Sequence, residues 1–374
     1  MSVEKLVEHF SALEDRRCSG KVEHRLIDIL VIAVCAVIAC AESWDDIALY
    51  GRNKLGWLRS FLTLANGIPS HDTFRRVFML IDPDAFEACF STWAQSFAEA
   101  FDREVVAIDG KTLRRSFDRA ADRSPLHLVS AWAAGSRLVL AQVATDDRSN
   151  EITAVPKLLE MLSLNRAIVT ADALNCQRTI AEQVVQQGGD YVLALKGNQG
   201  TLHDDVQLFL DDPAHAPELS VSQAVDGDHG RIETREASLC TKIDWLQKQH
   251  HWPGLAAIGK VARTREINGK TSSETAYFLL SAPLPAAQFS AVVRAHWGIE
   301  NSLHWVLDVT MNEDQSRTRK DNGPHNLALL RRWALNALKL EGSKGSVKGK
   351  LKRAGWDDDF LARLLTKPSP SQMR

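Results

Sequence analysis

The sequence predicts a mixed α/β (α+β) protein, an open mixed sheet with flanking helices and a β-rich insertion, preceded by a helical N-terminal domain. Three observations predict it. Residues 1–98 carry long apolar stretches at helical spacing. Residues 104–196 run in the order β-β-β-α-β-α-β. Residues 213–283 hold strand-like runs bounded by prolines. Hairpin strands followed by alternating helix and strand give one mixed sheet with helices on its faces.

The elements follow in order. Ile29 to Ala41 is apolar nearly all round, as a central helix would be. Its 13 residues fall short of the roughly 20 that span a bilayer. Pro69-Ser70 starts a helix, and Asp72 complements its dipole. Thr73, Arg75 and Arg76 then fall on an early exposed turn. That suits a DNA-reading helix, and equally an ordinary surface helix. Asp82-Pro83-Asp84 ends it, and another helix covers roughly Ala85 to Phe101.

Glu104 to Asp109 is a β-branched strand ending on an acid. Leu126–Ala133 and Leu138–Thr145 flank Gly135-Ser136 as a hairpin. A helix over Glu151–Leu162, a strand over Ala167–Ala171, a helix over Gln177–Gln187 and a strand over Asp190–Lys196 follow. A helix reaches about Leu210, and Pro213 and Pro217 then open the insertion. Residues 229–235, 256–265 and 276–281 read as its strands, and Pro283 and Pro285 close it. A helix from about Ala287 through Trp305 presents Glu300. This is the element order of the ribonuclease H-like fold, whose first and fourth strands lie side by side and carry metal-binding acids. The chain thus divides into a helical domain (1–98), a sheet domain (99–345) with its insertion at about 213–283, and a basic C-terminal tail (346–374).

The formal net charge of −2 does not announce a nucleic-acid binder, and its distribution says more than its total. From Gln315 to Arg353 eleven Lys/Arg, Arg317 and Arg319 among them, stand against Asp321 and Glu341, a net of about +9. A solvated basic tail is the other reading. Six cysteines are scattered without a C-x-x-C pair, which excludes a zinc ribbon or disulfide framework and fits a reducing cytosol. No signal-peptide pattern opens the chain, and no G-x-x-x-x-G-K-[ST] loop occurs, so neither export, a membrane nor a nucleotide cofactor is indicated.

Asp109 and Asp172 each close a strand of the sheet, and Glu300 lies far downstream. Three carboxylates converging at strand ends can hold hard divalent cations such as Mg²⁺. Two such cations can clamp both oxygens of a phosphodiester exchange. Gly110 permits close approach to Asp109, and Lys111, Arg114 and Arg115 follow as cations for a phosphate-rich substrate. Lys196 and Asn198 follow the last core strand and could touch phosphate. Singly, each aspartate is equally a turn or helix-cap residue. His296 and His304 share a helix face with Glu300, either lining the DNA side or forming an H-x₃-E-x₃-H zinc set. Asp308, Glu313 and Asp314 are rival acids. Trp297 and Trp305 read as core or interface aromatics, with stacking on unpaired bases as a second role.

The chain resembles DDE transposases of insertion sequences, in particular the ISAs1 group with its H-repeat-associated relatives. The resemblance rests on Gly67-Ile68-Pro69 with His71-Asp72-Thr73, Ala107-Ile108-Asp109-Gly110-Lys111-Thr112, Ser149-Asn150-Glu151-Ile152, Lys196-Gly197-Asn198-Gln199-Gly200, His229-Gly230-Arg231, and His296-Trp297-Gly298-Ile299-Glu300-Asn301 through His304-Trp305 to Asp314. It implies an acid triad of Asp109, Asp172 and Glu300 with Mg²⁺, or Mn²⁺ as substitute. It implies cleavage at the inverted-repeat ends of an element, then strand transfer into target DNA by a homodimer in the bacterial cytoplasm at the nucleoid. Arg231 and Asn301 join the implied DNA contacts. A broader class of these enzymes carries Tyr, Arg, Glu and Lys around the glutamate. Here Val293, His296, Glu300 and Leu307 stand there, and only the glutamate matches. Two rivals remain: a ribonuclease H-like nuclease without strand transfer, and an inactive or domesticated DNA-binding descendant.

Overall fold

The structure is a computed structural model that describes residues 4–98, 103–145, 150–228 and 231–365. Helices come first: α1 (Glu4–Phe10), α2 (Leu26–Ile38), α3 (Trp44–Asn53), α4 (Leu55–Leu58), α5 (His71–Leu80) and α6 (Pro83–Ala98). α2 is buried from Asp28 to Ile38, so its all-round apolar sequence makes it the hub of this layer. Ser70 caps α5 by accepting the Thr73 N–H at 3.2 Å. Arg75 turns back onto Asp72 at 2.8 Å, while Arg76 stays exposed.

The strands are β1 (Val105–Thr112), β2 (His127–Ala133), β3 (Leu138–Ala144), β4 (Ile168–Ala171), β5 (Asp190–Leu195), β6 (Ser220–Asp228), β7 (Arg231–Cys240), β8 (Ala257–Ile267) and β9 (Lys270–Leu280). They form one nine-stranded sheet in the order β3-β2-β1-β4-β5-β9-β8-β7-β6. β1, β4 and β5 run parallel, β2 pairs antiparallel with β1, and β3 antiparallel with β2. The expected β-rich insertion is therefore no separate body. It is an antiparallel meander that continues the sheet from β5 outward. β9 pairs with β5 only from Tyr277 to Leu280, and Lys270 to Ala276 run on past the end of β5 against β8.

Both faces are covered. On one, Ile108, Val129, Val169 and Leu193 pack with α7 (Glu151–Glu160), α8 (Arg178–Gln186), α9 (Thr201–Asp211) and α10 (Asp244–His250). On the other, Ile168, Val192 and Leu239 pack with α11 (Ala286–His296). There Gly259 lets Phe289 of α11 close on β8, since a Cβ would lie 2.6 Å from its ring. On that same face Ala107, Trp132 and Val139 join one core with the N-terminal helices and α12 (Gly323–Leu340).

Four expectations change. β1 continues to Thr112 because Gly110, Lys111 and Thr112 stay paired with β2, so Asp109 is not its last residue. The Glu300 helix is not uniformly α: α11 ends at His296, and two π-turns follow at Glu300–His304 and Val306–Thr310. The expected tail folds up to Leu365 as α13 (Val347–Trp356) and α14 (Asp358–Leu365). Their Leu351, Phe360, Leu361 and Leu364 recur at helical spacing and are buried with α2, and residues 366–374 lie outside the described part. Finally, α12 is buried from Gly323 to Leu338, Arg331 and Arg332 included, so much of the basic segment is interior. Among the described residues no helix is long and apolar enough to cross a membrane.

Candidate active site

Sheet register brings the two aspartates together. β1 and β4 are parallel with Ile108 opposite Ala171. One residue further, Asp109 and Asp172 stand abreast. Side chains alternate along a strand, so Asp109 shares its face with Ala107, and Asp172 continues the face of Thr170. That is the face α11 covers.

Glu300 opens the first π-turn, and His304 follows on the same side. π-turns concentrate at functional sites. His304 Nδ1 lies 3.4 Å from Asp109 Oδ2 and 3.5 Å from Glu300 Oε2. Donor atoms of Asp109, Glu300 and His304 all lie within 4.8 Å of one another. Asp172 stands outside this tight group. Its Oδ1 accepts from the Asn175 backbone N–H at 3.2 Å and from Nδ2 at 2.9 Å.

Burial pushes the Asp109 carboxyl up to about 8, and the nearby charges of Glu300, Glu151 and Asp172 push the same way. Burial likewise raises Asp172, with Glu151 adding to it. Burial holds His304 down at about 4, which leaves it a neutral imidazole, and its Nε2 is enclosed without a hydrogen-bond partner. Crowded carboxylates with a neutral imidazole among them form a donor set that suits a hard divalent cation.

Several expected contacts have other work. His296 Nδ1 sits 2.9 Å from Thr170 Oγ1, which braces α11 on β4. It is not in the donor group, so the H-x₃-E-x₃-H zinc set is not assembled among the described residues. His304, 6% exposed, faces Asp109 and Glu300. Lys111 is buried and is no phosphate contact. Its Nζ lies 2.6 Å from Asp308, 3.2 Å from Asp314 and 3.8 Å from Glu313. Glu313 in turn pairs with Arg332 at 2.6 Å. The rival acids are thus consumed in tying β1 to the segment after Glu300.

Asn198 Nδ2 donates to Ala173 O at 2.8 Å and Gln199 Nε2 to Cys176 O at 2.6 Å, so this motif braces the loop behind Asp172. Arg319 donates to Arg115 O at 3.1 Å and lies 4.3 Å over the Phe117 ring. Arg114, Lys196, Asn301 and Arg317 are exposed. Trp297 and Trp305 are exposed too, at 53% and 56%, and are not core. Arg231 opens β7, and its side chain lies outside the described residues. Val293 and Leu307 are buried, so positions that are polar in the broader transposase class are packing positions here.

Glu151, His127 and Asn175 also belong to the neighbourhood of the acids, and nothing in their local sequence marks them for it. Glu151 opens α7 behind its cap Asn150, where a carboxylate complements the helix dipole and looks unremarkable. Hydrogen bonding to His127 holds it below the usual carboxylate range.

An α/β sheet that presents crowded acids between two adjacent strands and a helix, beside a helical N-terminal layer, is an acid-cluster fold of the kind that handles cations. Comparison with known sequences makes this specific. The profile of the transposase DDE domain matches residues 100–337, and a DDE_Tnp_1-associated profile matches residues 7–94. The “H repeat-associated putative transposase YhhI” of Escherichia coli (strain K12) is 39% identical over 98% of both chains. An “Uncharacterized protein in dhlA 3'region” of Xanthobacter autotrophicus is 49% identical over 72% of this chain and 91% of its own. A piggyBac transposase synaptic complex with hairpin DNA aligns over 98% of this chain and 78% of that one, at 12% identity and a TM-score of 0.43. The chain belongs to the DDE transposase family, alongside the H repeat-associated transposases.

Proposed function

We propose that this chain is the transposase of an insertion sequence. It cuts DNA at the ends of its element and joins the freed ends to target DNA, with divalent cations held by Asp109, Asp172 and Glu300. Mg²⁺ is the expected ion, with Mn²⁺ as substitute. The observation that carries this reading is the donor cluster of Asp109, Glu300 and His304, with Asp172 following the last paired residue of β4 beside β1. The strand order β3-β2-β1-β4-β5 supports a ribonuclease H-like catalytic sheet.

When bound, the cations stabilise the charge on the attacking and leaving oxygens of the phosphodiester. The chain's own contribution is placement. β1 and β4 fix two carboxylates on a rigid sheet, and the π-turn brings Glu300 to the first of them. His304, neutral and buried, orients both acids without adding charge. Arg114, Lys196, Asn301 and Arg317 are exposed, and the three cations among them would strengthen phosphate binding in a salt-dependent way.

Labelled terminal-repeat DNA and a plasmid target test the reading. Asp109→Asn, Asp172→Asn and Glu300→Gln should each lower cleavage and joining by more than the ~10–100-fold of an outer-shell change, while end binding persists. Full-rate cleavage by any one variant removes that residue from the triad. Cleavage without joining would instead leave a nuclease.

A further inference from the structure

Glu151 approaches the acids from the opposite face of the sheet. Its Oε1 lies 2.8 Å from His127 Nε2, and its Oε2 accepts from Asn175 Nδ2 at 2.8 Å. The same Nδ2 donates to Asp172 Oδ1 at 2.9 Å. His127 Nδ1 continues the chain to Thr112 Oγ1 on β1, also at 2.8 Å. A hydrogen-bonded line therefore runs from β1 through His127, Glu151 and Asn175 to Asp172. Gly110, next to Asp109, leaves room for it. A Cβ there would fall 2.1 Å from Glu151 Oε1 and 2.5 Å from His127 Nε2. Asn175 is wholly buried, and its Oδ1 has no partner. Simple packing needs none of this: a Leu at 175 would fill the space without burying an amide.

We infer that Glu151 is a positioning residue of the acid site, a fourth carboxylate that fixes Asp172 through Asn175 and adds negative charge behind Asp109. The inference rests on the proposed cation-holding role of Asp109 and Asp172. Partners behind a metal ligand hold it in its binding geometry and commonly control affinity by ~10–100-fold.

Titration calorimetry of Mn²⁺ into the full chain separates the two layers, with thermal melting as the control for folding. Wild type should bind, and Asp109→Asn should lose binding. Glu151→Gln, which keeps the shape and loses the charge, should bind about 10-fold or more weakly with an unchanged melting temperature. Asn175→Ala, which cuts the link to Asp172, should weaken binding in the same direction. If Asp109→Asn loses Mn²⁺ while Glu151→Gln and Asn175→Ala bind as wild type does, the inference is overturned and the acid-site reading stands. If wild type and Asp109→Asn behave alike, the acid-site reading fails and the inference falls with it. If Glu151→Gln does not melt cooperatively, Asn175→Ala decides on the same readout.

Discussion

Lys111 shows how neighbouring letters mislead about neighbouring atoms. Two residues past Asp109, it reads as a cation waiting for phosphate. Its acids Asp308, Glu313 and Asp314 lie about 200 positions downstream, and nothing local reveals them. Glu151 was hidden for a related reason, since a helix-opening acid already has an adequate local explanation. The β-branched runs before Asp109 and Asp172 marked their strands without help from tertiary contacts, although β1 runs on past Asp109 to Thr112. The Lys111 network makes a prediction. Lys111→Met leaves three acids together in a largely enclosed place, and removing one partner of a buried pair costs about 3–5 kcal/mol. Denaturant unfolding should show that loss. The salt dependence of DNA binding should not change, whereas a true phosphate contact would reduce its slope by about 1.

Most elements were readable because each is locally consistent: hairpin strands around Gly135-Ser136, and apolar periodicity in α7 and α8. The π-turns were not, because their hydrogen-bond pattern has no signature in residue spacing. They arise where the segment must satisfy Asp109 on one side and Lys111 on the other. The α6–β3 packing carries its own prediction. Glu87 on α6 is buried and accepts the Gln142 N–H of β3 at 2.9 Å. Burial pushes its carboxyl up to about 8, against an ordinary 4.5, with the Gln142 bond opposing. The folded value lies above the unfolded one. The stabilisation is therefore complete below about 4.5 and is lost as pH rises through about 8. Glu87→Gln keeps the acceptor and removes the titration. Its melting temperature should match wild type near pH 5 and exceed it near pH 8.5, by on the order of a few degrees. A gap that does not grow with pH would show that Glu87 titrates normally.

At the scale of the molecule, the sequence suggested three consecutive parts, and residues from all three meet in one shared hydrophobic cluster. α12 lies between the N-terminal helices and the sheet, and α14 closes over α2. Arg331 and Arg332 look solvated in the sequence, yet both are enclosed and share the single carboxylate of Glu313. Calorimetry should therefore give one transition, not a helical one and a sheet one. Phe360→Ala, at a fully buried site near the C-terminus, should cost about 3–5 kcal/mol and lower that single transition as a whole. Two separable peaks would sink the shared core. The overhanging meander has a further consequence. β1, β4 and β5 end on the side where the acids stand, and β9 continues beyond that level for the seven residues Lys270–Ala276, about 20 Å at about 3.3 Å per residue. One flank of the acids is thus bordered by the sheet's long extension, and the other by the shorter ends of β1 and β2. Anything long laid across them would therefore meet a different neighbour on each flank.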